Sequence, residues 1–272
     1  MRIFRLIISL LFVVVFAVFS VVFISEKIKE DKTVPVITIE NEMLDVSLKA
    51  DDKELLQGVT AYDEKDKDLT DKVIVESISR FIEKGVCRVT YSVCDSNNNV
   101  ATATRKIRYK DYVSPTFEVN ESLCFSMYEG IDLSGAISAK DCIDGNISSN
   151  LIITTKNYTS SVTGFFTLDV TVTNKNGDSA EISLPLVVED RSLDAPVIEL
   201  KDYLVYAKKG ATLDLAGYVV SAMDAWENDV KKTVRIDTNL DLNKEGTYIV
   251  HYYATDADGI QGHSIMTILV GK

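Results

Sequence analysis

The side chains best suited to chemistry in this chain are carboxylates that return at fixed spacing. Asp63, Asp66 and Asp68 form a D-x-x-D-x-D run, with Asp95 further on. Asp141, Asp144 and Asn146 repeat the run, followed by Asn174; Asp224, Glu227 and Asp229 repeat it again, followed by Asp256. Two physical readings stand side by side. Converging oxygens suit Ca2+, which takes about six to eight oxygen ligands. Alternatively, each aspartate accepts nearby backbone amides and fixes a turn with no metal involved. Under the metal reading the linkers contribute too: Asp111 would join Asp141, Asp144, Asn146 and Asn174, while Asp190 and Asp194 would join Asp224, Glu227, Asp229 and Asp256. No cofactor is certain from the sequence, and Ca2+ is the one this pattern admits. Carboxylate pairs also serve glycosidases, but a glycosidase pair is expected once, not in three copies.

Other chemistry-bearing residues are few. The cysteines are Cys87, Cys94, Cys124 and Cys142, with no C-x-x-C pair to suggest zinc or a redox centre. Cys87 shares the parity of Val89 and Tyr91 and reads as core; Cys94 has the opposite parity and reads as exposed. Cys124 and Cys142 are able to bridge if the chain is exported. The two histidines are His251 and His263. His251, between Val250 and Tyr252, is expected to point to solvent, so a catalytic histidine is not expected. No G-x-S-x-G, P-loop, H-E-x-x-H or G-x-G-x-x-G occurs. Trp226, with Tyr218 nearby, reads either as an aromatic platform for a sugar or protein or, more plainly, as a partly buried loop residue.

The elements that must position these residues form a repeat. Prolines at 35, 115 and 196 each open an extended apolar segment: Val36-Ile37-Thr38-Ile39, Thr116-Phe117-Glu118-Val119 and Val197-Ile198-Glu199-Leu200. Next come Val59-x-Ala61-x-Asp63, Ile137-x-Ala139-x-Asp141 and Val220-x-Ala222-x-Asp224. Glycines 85, 164 and 246 then precede strongly alternating runs such as Val89-x-Tyr91-x-Val93, Leu168-x-Val170-x-Val172 and Val250-x-Tyr252-x-Ala254. Period-two alternation means half-buried strands. Short strands with regular turn signals, in units of 80 and 81 residues between prolines, read as sandwiches.

Leu6–Ser25 carries no charge, and at about 1.5 Å per residue it matches a bilayer core of roughly 30 Å. Arg2 and Arg5 precede it, which places the N-terminus in the cytoplasm and the rest outside by the positive-inside rule. A cleaved signal peptide is the rival, but the apolar run is long for one and no A-x-A-like site closes it. The formal net charge of −12, with no basic stripe, argues against nucleic acid.

With Ala61-Tyr62-Asp63-Glu64-Lys65-Asp66-Lys67-Asp68-Leu69-Thr70, then Gly85-x-Cys87-x-Val89-x-Tyr91-x-Val93-x-Asp95 and Ala101, the chain resembles the bacterial immunoglobulin-like surface repeats of the pesticidal-crystal-protein type. These are similar to hyalin-repeat and cadherin-like modules. The first repeat departs by Lys67 at a usual glycine. The second departs by Asn146 and Phe166. The third departs by Glu227 and Trp226, and reads as the most divergent. The resemblance implies a spacer or adhesion module without catalytic activity.

The expectation is an all-β chain: three tandem immunoglobulin-like β-sandwiches behind one N-terminal transmembrane helix. Residues 1–25 form a cytoplasmic stub and signal anchor, 26–34 a juxtamembrane linker, and 35–111, 112–191 and 192–272 the repeats. Placed end to end, strand lengths of roughly 30 Å give a rod on the order of 100 Å. The expected role is a membrane-anchored extracellular stalk or adhesion module with a protein or glycan ligand, the third repeat making contact. The alternatives are a carbohydrate-binding module or an accessory subunit of a secreted hydrolase.

Overall fold

The computed structural model describes residues 2–29, 32–131, 133, 135–156 and 162–271. The chain divides into two compact units, Met1–Asp111 and Tyr112–Lys272.

The first unit begins with helix α1 (Arg2–Lys29). Within it Ile7–Ser25 has a mean hydropathy of 3.2 and is long and apolar enough to cross a membrane. Phenylalanines, valines and isoleucines are exposed all round this helix, a surface suited to lipid rather than water.

The sandwich of this unit is built from β1 (Val36–Ile39), β2 (Met43–Val46), β3 (Val59–Asp63), β4 (Lys67–Asp68), β5 (Ile74–Ile78), β6 (Val86–Cys94) and β7 (Val100–Tyr109). One sheet has the order β1-β3-β4 and the other β2-β7-β6-β5. β2 joins β7 in parallel while the other pairs are antiparallel. A short helix, α2 (Asp52–Leu55), links β2 to β3, its first turn capped by Asp51 Oδ1 accepting from the Glu54 amide at 3.0 Å. Alternation along β6 puts Cys87, Val89, Tyr91 and Val93 in the core, with Val59, Ala61, Leu69, Val73 and Ile107. Each fully buried aliphatic side chain there contributes about 1.5–3 kcal/mol.

The second unit contains two sandwiches of the same plan. The first has β8 (Thr116–Val119), β9 (Cys124–Ser126), β10 (Ile137–Asp141), β11 (Gly145–Asn146), β12 (Ile152–Lys156), β13 (Gly164–Thr173) and β14 (Ser179–Glu189). Its sheets run β8-β10-β11 and β9-β14-β13-β12. The second has β15 (Val197–Leu200), β16 (Leu204–Lys208), β17 (Val219–Met223), β18 (Arg235–Thr238), β19 (Gly246–Thr255) and β20 (Gln261–Gly271). Its sheets run β15-β17 and β16-β20-β19-β18. β9 and β16 again lie parallel to the last strand of their own sandwich.

These two sandwiches are not arranged end to end, which corrects the rod expectation for this part of the chain. β7 in the first unit alternates between buried and more exposed positions. β20, its counterpart, is buried at every position from Gly262 to Ile268. One face of β20, through Met266 and Ile268, fills its own core. The other face lies against the preceding sandwich: Ile265 and Leu204 join a cluster with Val187, Val188, Cys124 and Leu123. Ser122 Oγ accepts the Ile265 amide at 3.1 Å, and Tyr206 Oη accepts the Phe117 amide at 3.2 Å. A shared apolar seam therefore makes the two one body.

Candidate functional site

The acidic loops lie where the chain enters each sandwich. In the first unit Thr33, just ahead of Pro35, donates to Asp63 Oδ2 at 3.2 Å. Asp63 Oδ1 accepts the amides of Lys65 (2.8 Å) and Asp66 (3.0 Å). Asp66 Oδ2 crosses to the neighbouring loop and accepts the Ser96 amide at 2.9 Å. Asp95 Oδ1 accepts the amides of Asn97 and Asn99 at 2.8 Å each, and Asp68 Oδ1 the Thr70 amide at 3.0 Å. Carboxylate oxygens of Asp63, Asp66 and Asp95 lie within 4.8 Å of one another. The Asp66 amide in particular, with Lys65 and Thr33, holds the Asp63 carboxyl below its ordinary range, although burial opposes this.

The second loop set has the same wiring with fewer charges. Asp141 Oδ1 accepts the amides of Ile143 and Asp144 at 2.9 Å each, and Asp144 Oδ2 accepts the Lys175 amide at 2.8 Å. Asn174 stands where Asp95 does and donates its amide to Asp141 Oδ2 at 3.1 Å. Asn146 Oδ1 takes the Ser148 amide at 2.9 Å. From the entering chain, Tyr112 donates its hydroxyl to Asp178 at 2.7 Å. Asp111 is held within its own unit by Ser47 Oγ and the Leu48 amide, both at 2.8 Å.

In the third set Asp224 Oδ1 accepts the amides of Trp226 (2.9 Å) and Asn228 (2.8 Å), and Asp229 Oδ1 the Lys231 amide (2.8 Å). Asp256 Oδ1 accepts those of Asp258 and Ile260. Glu227 occupies the left-handed turn position, with φ of 63°. Asp190 accepts the Tyr128 hydroxyl, and the Asp194 amide turns to Ser192 Oγ. Among the described residues, neither is gathered with the carboxylates of the third set into a group of three. In all three sets the leading aspartate accepts amides of its own turn, while Asp66 and Asp144 reach the neighbouring loop. Among the described residues, only the first set also brings three carboxylates together.

The bridge that the sequence left open is not formed, and the expectation for His251 is corrected. All four cysteines are free thiols. Cys142 is exposed and donates to the Val113 carbonyl at 3.1 Å. Cys124 is buried at the seam instead, because β9 presents it on the face that the last sandwich covers. There Cys124 Sγ lies 3.2 Å from His263 Nδ1, which is itself 2.9 Å from Glu189 Oε2. His251, expected in solvent, is half-buried, with Nδ1 2.9 Å from His263 Nε2. It does leave its own core, but Phe165 of the preceding sandwich meets it edge-on, with ring centroids 6.3 Å apart. The sequence held no signal for this cluster, because its members come from two repeats and meet only through the seam. Trp226 is corrected as well: it is 80% exposed, not partly buried, while Tyr218 packs partly against the core.

Comparisons with known proteins follow this architecture. The family described as "Bacterial surface protein, Ig-like domain" matches residues 41–108 and 202–270. The match falls on the first and third repeats. The chain is 27% identical over 226 residues to pesticidal crystal protein Cry22Aa of Bacillus thuringiensis, across 78% of this chain and 30% of that protein. It is 29% identical over 136 residues to an uncharacterized 81.3 kDa protein of Acholeplasma phage L2, across 48% of this chain and 18% of that protein. The chain thus spans less than a third of the length of either relative. Among solved structures, Drosophila N-cadherin EC1-4 aligns with 89% of this chain and 76% of its own at 14% identity and a TM-score of 0.26. The M60 catalytic domain of Clostridium perfringens ZmpB with its CBM51-1 and CBM51-2 domains aligns with 88% of this chain and 31% of its own at 15% identity and a TM-score of 0.25. Nothing on function follows from superpositions at that level. The two family matches together span half of the chain, the sandwiches share one plan, and the chain belongs to the bacterial surface protein immunoglobulin-like domain family.

Proposed function

We propose that this chain is a non-enzymatic surface module, held to the membrane by its N-terminal apolar helix, that binds a protein or glycan partner through the third repeat. Family membership supports the surface assignment, and the apolar Ile7–Ser25 segment supports the anchor. One observation carries the choice of contact site. Trp226, the single tryptophan of the chain, stands 80% exposed on the loop after β17. A large aromatic left in water at a loop tip is the kind of anchor that binding surfaces favour.

Because no other tryptophan contributes, tryptophan emission, excited where tyrosine does not absorb, reports on that loop alone. Titrating the purified chain with soluble cell-wall glycan fragments and with host or neighbouring surface proteins is expected to shift the emission to the blue. Trp226→Ala is expected to weaken the same binding. Binding that leaves the emission unchanged and survives Trp226→Ala would remove the third-repeat loop as the contact.

A second reading concerns calcium. We propose that the aspartates serve mainly as turn formers, since their oxygens already accept backbone amides. The gathering of Asp63, Asp66 and Asp95 makes the first repeat the place where Ca2+ has a case. Calorimetry with Ca2+ on wild type and on Asp66→Asn decides it: heat lost in the variant supports the ion, and no heat in wild type leaves the turns as the whole role.

A further inference from the structure

The seam between the two sandwiches of the second unit holds a set of side chains that the acidic loops do not explain. Cys124 comes from β9, Glu189 from the end of β14 and His263 from β20. Their Sγ, carboxylate and Nδ1 atoms all lie within 4.8 Å of one another. We infer that Cys124, Glu189 and His263 form a zinc-binding site that pins the second sandwich to the third.

Three observations support this. The first is geometric. A tetrahedral Zn2+ with Zn–S of about 2.3 Å and Zn–N or Zn–O of about 2.0–2.1 Å sets its ligand atoms roughly 3.3–3.6 Å apart. Cys124 Sγ and His263 Nδ1 are 3.2 Å apart, Cys124 Sγ and Glu189 Oε1 3.6 Å, and His263 Nδ1 and Glu189 Oε2 2.9 Å. Shifts of a few tenths of an ångström convert the cluster into a coordination shell. One thiolate, one imidazole and one carboxylate suit Zn2+ better than a hard cation such as Ca2+.

The second is the arrangement of the donors. His263 Nδ1 faces both the Cys124 sulfur and a Glu189 oxygen, so one ion placed between them reaches all three. Zn2+ on His263 Nδ1 would fix the ring proton on Nε2, and His251 Nδ1, 2.9 Å from Nε2, is placed to accept it. This is the outer-shell support that metal-bound histidines use. Arg191 Nε lies 3.4 Å from Glu189 Oε1 and holds that carboxylate against the cluster. Arg191 also donates from Nη1 to the His263 carbonyl at 2.6 Å, which ties the two sandwiches at the same point.

The third is that the sandwich plan does not require these residues. Strand register places Asp45 and Tyr206 at the positions equivalent to Cys124, and Thr102 and Glu181 at those equivalent to His263. Asp45 simply pairs with Arg108 at 2.9 Å on the surface. Cys124 and His263 are both buried, and beside them opens a cleft of about 460 Å³ also lined by Ser122, Ser126, Glu129 and Arg191. Water in this cleft supplies the fourth ligand. Burial pushes the Cys124 thiol far up, helped by the Glu189 charge. Without metal it is a neutral thiol, not a nucleophile; a bound dication reverses that balance.

The test uses the full chain in detergent, reduced and stripped of metal, titrated with Co2+ and then with Zn2+. One equivalent of Co2+ is expected to give thiolate-to-cobalt charge-transfer absorption, which Zn2+ removes by displacement. Cys124→Ser is expected to abolish the band and Cys142→Ser to keep it. Glu189→Gln is expected to weaken binding, and His251→Gln to weaken it about tenfold with the band retained. The inference is overturned if wild type binds Co2+ without a thiolate band or not at all, or if the band survives Cys124→Ser. The wild-type arm stands even if a variant fails to fold.

Discussion

Arg105 Nε donates to the Tyr91 hydroxyl at 2.7 Å inside the first sandwich, and both side chains are buried. The guanidinium also reaches the Gln57 carbonyl at 2.8 Å and the Leu55 carbonyl, to which the Tyr91 hydroxyl donates at 2.6 Å. A cation thus satisfies the carbonyls left at the end of α2. Arg105→Ala is expected to destabilise the first unit by about 3 kcal/mol, since hydrogen bonds to charged groups carry about 1.5–3 kcal/mol and the stranded carbonyls add to the loss. Tyr91→Phe is expected to lose about 1 kcal/mol. Urea unfolding of both variants checks the ratio; equal losses would mean that the arginine acts only by filling space.

Lys67 has φ of 67°, a left-handed conformation that Gly145 adopts without strain at the matching place, with φ of 71°. A residue with a Cβ loses roughly 1–2 kcal/mol there. Lys67→Gly is expected to raise the stability of the first unit by up to about 1 kcal/mol, once the greater freedom of glycine in the unfolded chain is set against the relief. Thermal melting detects this as a higher midpoint; a lower midpoint would show that the Lys67 Nζ bond to the Glu64 carbonyl, at 2.6 Å, matters more.

Thiol labelling separates the four cysteines. Cys94 and Cys142 are exposed, while Cys87 and Cys124 are buried and burial raises both of their thiols. Two thiols are expected to react in the folded, metal-free chain and all four after denaturation without reductant. A Cys124–Cys142 bridge would instead leave one reactive thiol folded and two unfolded.

Acid is expected to act through the turn aspartates. The Asp66 amide holds Asp63 below its ordinary value of 3.8, and the Asn228 side chain and amide do the same for Asp224. Their folded values lie below their unfolded ones, so the unfolded chain binds protons first as pH falls. The stability they contribute is complete above about pH 5 and is lost progressively below about pH 4. Melting curves from neutral to acid pH are expected to show a flatter acid limb for Asp63→Asn and Asp224→Asn, together with a lower midpoint at neutral pH.

Local pattern carried much of this protein. The alternation Val89-x-Tyr91-x-Val93 and its two counterparts identified the strands, since burial of one face sets the register. Asp63, Asp141 and Asp224 marked turns because the backbone amides that their Oδ1 atoms accept lie only two to four residues along the chain. The seam was hidden. Cys124 and His263 are 139 residues apart in sequence, and both sit on faces that alternation marks as outward. What buries them is another domain, which strand periodicity does not encode. Trp226 was missed for a related reason, because a loop carries no period from which to read exposure.

Burial of both faces of β20 has a consequence for the order of folding. His263 and Ile265 on the outward face are covered by the preceding sandwich and lose that cover unless it is already in place. A chain that emerges from its N-terminus completes residues 112–191 first. The last domain is then templated on a finished neighbour. Cut free, it would bare an apolar strip along its sheet and tend to self-associate.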